Sequence, residues 1–212
     1  MKRDASLAHR DGMVCDAAEY RQLRCVQCPA RSISLCSRLD SEGRERLKSI
    51  ATTLEFRRGQ AIFEQGETLK YVFLITAGLI KLYRDLQSGK RQILGFLGPG
   101  DVLGGIKQGA EAYSSANVVT RAKVCAFDRK QFQHLLNTYS DLCFSMLITA
   151  TDEIEAHNDQ IILIARKRVE ERLAYFLLTL ASRWRGDGRS GAAVMLPMSR
   201  ADIADHLGST VE

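Results

Sequence analysis

Residues 71–97 read YVFLITAGLIKLYRDLQSGKRQILGFL, and this stretch decides the class of fold. Isoleucine, leucine, valine, phenylalanine and tyrosine dominate it, while Ala77-Gly78 and Ser88-Gly89 punctuate it. β-Branched and aromatic runs bounded by glycine are strand signals. Working outward, runs of the same texture occupy 55–58, 61–64, 71–76, 79–85, 91–97, 117–120 and 123–128. Further turn signals stand at Gly59, Gly66-Glu67 and Gly98-Pro99-Gly100-Asp101. Strands so closely spaced predict an antiparallel β-roll or jelly roll.

On both sides of this region the texture is helical, giving an α+β fold. Upstream, Asp40 or Ser41 caps a short helix running to about Ala51, with Leu47 and Ile50 inward. Downstream, steps of three and four pick out Ser140, Cys143, Leu147, Ala150, Ile154, His157, Ile161, Ile164 and Arg168. From Leu147 to Ile164 this line is apolar except for His157, and Asp152, Glu153, Glu155, Asn158 and Asp159 flank it. A narrow sustained stripe fits a helix that pairs with its twin in a homodimer; the alternative is a helix packed on its own domain. Leu147, Ala150, Ile154, His157, Ile161 and Ile164 form the expected seam. Two His157 side chains would meet near the two-fold axis, and a polar seam residue weakens and tunes a dimer. Cys143 reads as a small buried residue of the same seam.

A second helix over 169–185 puts Leu173, Phe176, Leu177, Leu180 and Trp184 on a broad apolar face. The glycine-rich stretch 186–191 reads as a loop. Ser199, with Asp202 three residues on, opens another helix as a variant capping box. The expected regions are therefore an arm over 1–40, a β-roll over 41–138, a dimerisation helix over 139–168, and a C-terminal domain over 169–212.

The chain has 212 residues, a net charge of +5, 26% charged residues and 45% hydrophobic ones. This balance is that of a globular protein and permits an anionic partner such as DNA. No purely apolar run approaches the roughly 20 residues of a membrane-spanning helix. Residues 1–14 are polar and charged, without the apolar core of a secretory signal. A cytoplasmic location and no membrane partner are expected. Thiols stay reduced there, so the six cysteines read as metal ligands or buried residues rather than disulfides.

Cys25, Cys28 and Cys36 follow the spacing C-x2-C-x7-C within the arm. Three thiolates so spaced can reach one centre, but zinc, redox and iron–sulfur sites all use such patterns. A fourth ligand is needed, with Cys15, Cys125 and Cys143 as candidates. By pattern alone Cys125 reads as core, although its alternation with Val124 and Ala126 would let its thiol face the arm.

The arm cysteines, Phe63-Glu64-Gln65-Gly66-Glu67, Gly98-Pro99-Gly100-Asp101, Glu170-Glu171-Arg172-Leu173-Ala174 and the Ser199-to-Gly208 run SRADIADHLG together carry a resemblance. The whole chain resembles the CRP/FNR family of transcription regulators, specifically its oxygen-sensing FNR-like branch. The resemblance implies a cyclic-nucleotide-binding-like β-roll, a dimerisation helix and a C-terminal winged helix–turn–helix. It also implies a [4Fe–4S] cluster, whose ligands match Cys25, Cys28, Cys36 and Cys125. The x7 spacing is that of the rhizobial relatives. Zinc, being redox-inert, would give no oxygen response. A homodimer formed while the cluster is intact, binding to a palindromic operator in double-stranded DNA, and contact with RNA polymerase follow as expected partners.

Relatives that bind cyclic AMP use a glutamate after the Gly-Asp turn and an Arg-Ser pair. Here Gly104-Gly105 and Ser114-Ser115 stand at those places. A cyclic phosphate would lack its bidentate arginine, so no cyclic nucleotide is expected. In the resemblance Ser199 and Arg200 begin the first helix of the DNA-binding motif, where Arg200 matches a phosphate contact. Thr210, Val211 and Glu212 begin the recognition helix, and Glu212 matches a base-reading glutamate able to accept from a cytosine amino group. The family continues past this point with a serine–arginine pair and a wing, so the chain is expected to be a fragment or truncated product. No catalytic arrangement is legible, and His9, His134, His157 and His206 are scattered. Rival readings are a cluster-bearing redox protein and a signalling module acting through a protein partner.

Overall fold

A computed structural model describes residues 25–105, 109, 111–184 and 195–212; Cys15 and the 186–191 loop lie outside the described residues. A short 3-10 helix, Leu35–Arg38, leads into α1 (Ser41–Ser49). The strands follow: β1 (Ala51–Phe56), β2 (Ala61–Phe63), β3 (Tyr71–Asp85), β4 (Arg91–Leu97), β5 (Val102–Leu103) and β6 (Ser115–Asp128). Then come α2 (Arg129–Thr138), α3 (Ser140–Arg166), α4 (Val169–Trp184) and α5 (Arg200–Leu207). Among these, no helix is long and apolar enough to cross a membrane.

All six strands form one antiparallel sheet of order β1-β6-β3-β4, with β2 added on β6 and β5 on β3. The β3–β6 ladder runs from Tyr71 opposite Asp128 to Tyr83 opposite Ser115. Side chains alternate across it, because successive residues of a strand point to opposite faces. Phe73, Ile75, Val124 and Ala126 enter the core inside the roll, with Leu54 and Ile80. Val72, Leu74 and Phe127 join Leu35, Leu39, Leu47, Phe132 and Leu142 in a second core on the other face. That core is where the arm, α1, α2 and the start of α3 are held.

The turn expected at Ala77-Gly78 is not a turn. β3 passes through it unbroken, and the register with β6 shifts around Ala77 and Leu79. Gly78 takes φ +88°, and a Cβ there would lie 2.4 Å from the Arg121 carbonyl oxygen and 2.6 Å from the Ala122 Cα. The glycine marks a bulge at which two backbones meet closely rather than a chain reversal. Hydroxyls patch the disturbed ladder: Thr76 donates to the Lys123 carbonyl (3.0 Å), and the Leu79 amide donates to Thr120 Oγ1 (2.9 Å). The turn expected at Ser88-Gly89 does join β3 to β4, closed by the Leu86 amide on the Lys90 carbonyl at 2.8 Å.

A third core joins the β-roll to the C-terminal helices. Leu79, Ile93, Phe96 and Val119 of the sheet pack with Phe176 and Leu180 of α4, Met198, and Leu207 of α5. Of the apolar face expected on α4, Phe176 and Leu180 are buried, Leu177 is half-buried and Leu173 is exposed.

The two glycines separate strain from crowding. Gly89 also has positive φ, but nothing lies within 4 Å of an added Cβ. Gly89→Ala is expected to cost about 1–2 kcal/mol, the strain of one left-handed alanine. Gly78→Ala is expected to cost roughly 2–5 kcal/mol, because overpacking against backbone adds to that strain. Urea unfolding of both variants measures the difference, and equal losses would refute the bulge's close packing.

Candidate sensor arm and nucleic-acid interface

The arm is organised by its own backbone. The Arg31 amide donates to the Cys28 carbonyl (3.0 Å) and the Ile33 amide to that of Ala30 (3.3 Å). Ser34 then caps the 3-10 helix, its hydroxyl accepting the Cys36 amide at 3.2 Å. Ala30, Ser34, Leu35 and Leu39 are buried and anchor the segment. Cys28 and Cys36 are half-buried and Cys25 is exposed.

Cys25 and Cys36 each lie near enough to another arm cysteine to feel its charge. Burial is the first cause raising the Cys36 thiol, Ser34 opposes it by hydrogen bonding, and the charges of Cys28 and Cys25 raise it further. Cys25 is exposed by area, yet enough protein surrounds it for desolvation to raise its thiol. Lys48 and Arg31 pull it back down, and Cys28 and Glu45 push it up. At both Cys25 and Cys36 burial outweighs the nearby cations, so the neutral thiol is favoured over the thiolate.

Cys125 reaches the arm's side of the sheet through strand alternation. It lies on β6 between Thr53 of β1 and Leu74 of β3. Val124 and Ala126 enter the roll, whereas Cys125 packs on the second core, as does Cys36. Leu35 and Leu39 of the arm belong to that core. Among the described residues no three His, Cys, Asp or Glu side chains are assembled as a metal site.

The arm is tied to α3 by polar contacts. The fully buried Ser145 hydroxyl donates to the Leu35 carbonyl at 3.2 Å. Arg38 pairs with Asp152 at 3.6 Å. Tyr139, which precedes α3, donates its hydroxyl to Asp40, the N-cap of α1. That bond is the main reason the phenol is pushed up to about 12.

Along α3 the expected seam faces outward. Leu147, Ile154, Ile161 and Ile164 are between 51% and 63% exposed, and Ala150 and His157 are exposed beside them. Phe144 and Ile162 widen the apolar strip. Cys143 is exposed in the single chain as well, and with Leu147 and Ala150 it borders a cavity between α3 and the β-roll.

Between the β-roll and α3 a cavity of about 620 Å³ is bounded by Phe63, Leu82, Leu103 and Arg129 on one side and by Met146 and Leu147 on the other. Gly104, Gly105 and Ser114 line it too. The buried Arg129, a cation that sequence reasoning passed over, donates to the Gly104 carbonyl.

At the other end, Ser199 caps α5 in a full capping box. Its hydroxyl accepts the Asp202 amide at 3.0 Å, and Asp202 Oδ2 accepts the Ser199 amide at 3.2 Å. Ala204 and Leu207 face inward and Ile203 is half-buried, while Gly208 closes the helix at φ +64°. Arg200, Thr210, Val211 and Glu212 are exposed. The recognition-helix turn expected at Thr210, Val211 and Glu212 is not helical.

Sequence reasoning also missed the polar contacts that seat α4 and α5 on the roll. Lys81 pairs with Asp202 at 2.5 Å, and Gln92 Nε2 donates to the Asp205 carbonyl at 2.6 Å. Arg183 pairs with Asp101 at 3.2 Å. These partners lie some eighty or more residues apart, and no periodicity reports such pairs.

Residues 53–139 match the family model described as the cyclic nucleotide-binding domain, and residues 171–212 match the Crp-like helix-turn-helix domain. The transcriptional activatory protein AadR of Rhodopseudomonas palustris is 33% identical over 190 residues, 89% of this chain and 79% of that protein. The chain belongs to the CRP/FNR family. The nitrogen fixation regulation protein FixK of Bradyrhizobium diazoefficiens is 31% identical over 188 residues, again 89% of this chain and 79% of that protein. Among solved structures, FixK2 from Bradyrhizobium japonicum matches with a TM-score of 0.68 and 30% identity, covering 76% of this chain and 79% of that one. The members of this family are DNA-binding transcription regulators, and α5 with its capping box falls in the matched helix–turn–helix.

In this CRP/FNR regulator the ring of His206 packs α5 against the β-roll and α4. His206 Nδ1 lies 3.3 Å from the Ile93 carbonyl oxygen, and its ring stands 5.6 Å from Phe96 and 5.0 Å from Phe176. Burial holds its pKa below the ordinary 6.5, against a smaller upward pull from the Ile93 carbonyl. The unfolded imidazole therefore binds a proton first. Its contribution is fully present above 6.5 and is lost as the pH falls through 6.5 toward the folded value. Melting at about pH 7.5 and about pH 5.5 should show a smaller acid loss for His206→Phe than for the parent chain. Identical losses would refute this role.

Proposed function

We propose that this chain is an oxygen-responsive DNA-binding transcription regulator in which Cys25, Cys28, Cys36 and Cys125 hold an oxygen-labile [4Fe–4S] cluster. One observation carries the reading. Cys28 acts electrostatically on Cys25, both act on Cys36, and Cys36 and Cys125 of β6 pack on the one core that anchors the arm. Four thiolates are the donor set of a cubane, and such a cluster supplies a centre that oxygen can destroy. The protein's own part is to gather those donors, surround them with Lys48, Arg31 and Arg44, and tie the arm to α3 through Ser145 and Arg38.

Dimerisation would follow, with the outward stripe of α3 covered by a second copy and only the dimer reading a palindromic operator. The exposed Arg200 and the surface ending in Glu212 face that DNA, as their family counterparts suggest. Activation of anaerobic or microaerobic genes in the cytoplasm, through contact with RNA polymerase, is the biological sense of this arrangement. The description of AadR as a transcriptional activatory protein supports activation rather than repression.

Purification without oxygen should yield about four iron and four sulfide per chain, with an absorption that bleaches in air. Serine at Cys25, Cys28, Cys36 or Cys125 should abolish this loading, and Cys15→Ser should leave it intact. Zinc without sulfide, or loading that needs Cys15 and not Cys125, would overturn the assignment. Footprinting a palindrome with the loaded protein separates a DNA regulator from a module acting through a protein partner.

His157 lies exposed within the α3 stripe. His157→Leu should tighten dimerisation in air about tenfold, equivalent to ~1.4 kcal/mol. An unchanged sedimentation profile would remove His157 from the seam.

A further inference from the structure

We propose that the cysteine arm is coupled to the DNA-binding helices within a single chain, through the 98–101 turn, by contacts other than the arm's own ties to α3. The arm's central loop sits directly on this turn. Gly100 has φ +100°, and a Cβ on it would fall 2.9 Å from the Ile33 carbonyl oxygen and 3.2 Å from Ile33 Cγ1. Ile33 lies between Cys28 and Cys36, so the contact belongs to the same loop that the two thiols bracket.

The next residue carries the link onward. Asp101 Oδ2 accepts the Gly98 amide at 2.9 Å and Arg183 Nη1 of α4 at 3.2 Å. One carboxylate oxygen thus closes the turn and holds the helix. The Asp101 carboxylate is 24% exposed and the Arg183 side chain 52%, so water screens the pair and its hold rests on the shared hydrogen-bond geometry. The turn is fixed to β3 on its other side, by the Gly100 amide on the Ile75 carbonyl (2.9 Å) and the Ile75 amide on the Asp101 carbonyl (3.0 Å). Arm, turn and α4 also share one cavity of about 610 Å³, bounded by Pro29, Ser32 and Ile33, by Gly98 and Asp101, and by Leu180 and Arg183.

None of these residues takes part in the arm's ties to α3, which run through Ser145, Asp152 and Tyr139. Two separate sets of contacts therefore leave the arm. Opening of the arm removes the cover of the turn, and opening of the turn releases Arg183. Coupling of this kind is reciprocal, so loosening α4 must also loosen the arm. The biological sense of the route rests on the arm being the sensor. The coupling itself does not require any cluster.

Hydrogen–deuterium exchange of the full chain tests it. Asp101→Asn keeps a carbonyl oxygen able to accept the Gly98 amide and loses the charge facing Arg183. Asp101→Asn and Arg183→Ala should each speed exchange in peptides covering 29–36 by about three- to tenfold, together with those covering 176–184. Arg183→Lys should restore most of the protection. Lys81→Met, which cuts the separate ion pair to Asp202, should loosen 199–207 and leave the arm unchanged. Arm exchange that ignores Asp101→Asn and Arg183→Ala would overturn the proposal, and so would an equal response to Lys81→Met. A protein that binds no iron yet shows the expected pattern would defeat the sensor reading and leave this coupling standing.

Discussion

The long antiparallel pairing of β3 with β6 is the constraint on which the molecule depends. Fixing Tyr71 opposite Asp128 fixes every later partner, because a slip of one residue would exchange the two faces. With this register Val124 and Ala126 fill the roll while Cys125 and Phe127 meet the arm and helices. A slipped ladder would put a thiol inside an apolar roll and leave the arm with no counterpart on the sheet. The bulge at Gly78 takes up a register shift, after which the pairing resumes from Leu79 opposite Thr120.

Much of this architecture is legible from residue order alone. Strand texture, the helix caps at Asp40 and Ser199, and the apolar line on α3 are local patterns, each decided within a few residues by backbone geometry. The Ala77-Gly78 signal was ambiguous because a left-handed glycine serves a turn and a bulge equally well. The neighbour that separates the two cases, Arg121 of the opposite strand, is distant in sequence. The burial of Cys143 turns on a related limit: an apolar stripe announces that something must cover it, without saying whether that cover is the same chain.

The candidate site was legible in halves. Spacing groups Cys25, Cys28 and Cys36, and alternation allows Cys125 to face them, but only the folded sheet puts it on the core that also holds Leu35 and Leu39. The ties of Ser145 to Leu35 and of Arg38 to Asp152 have no sequence signature, since a serine within a helix and an exposed arginine are unremarkable alone. The same holds for Lys81 with Asp202. Asp202 announces itself as the partner of Ser199, and nothing local hints that its other oxygen is held by the sheet.

The core shared by Phe96, Val119, Phe176, Leu180 and Leu207 has a consequence for how this protein can change over evolutionary time. A boundary drawn where the helix–turn–helix match begins, near residue 171, passes between surfaces that rely on each other for shelter from water. Recombination at that point would leave an apolar scar on both fragments unless the incoming module carried a matching aromatic face. Exchange of DNA-reading modules among such regulators is thus restricted to donors whose α4 and α5 already suit the β4 strand. The inheritable unit is the pair, and target choice must drift mainly through substitutions on the DNA-facing surface.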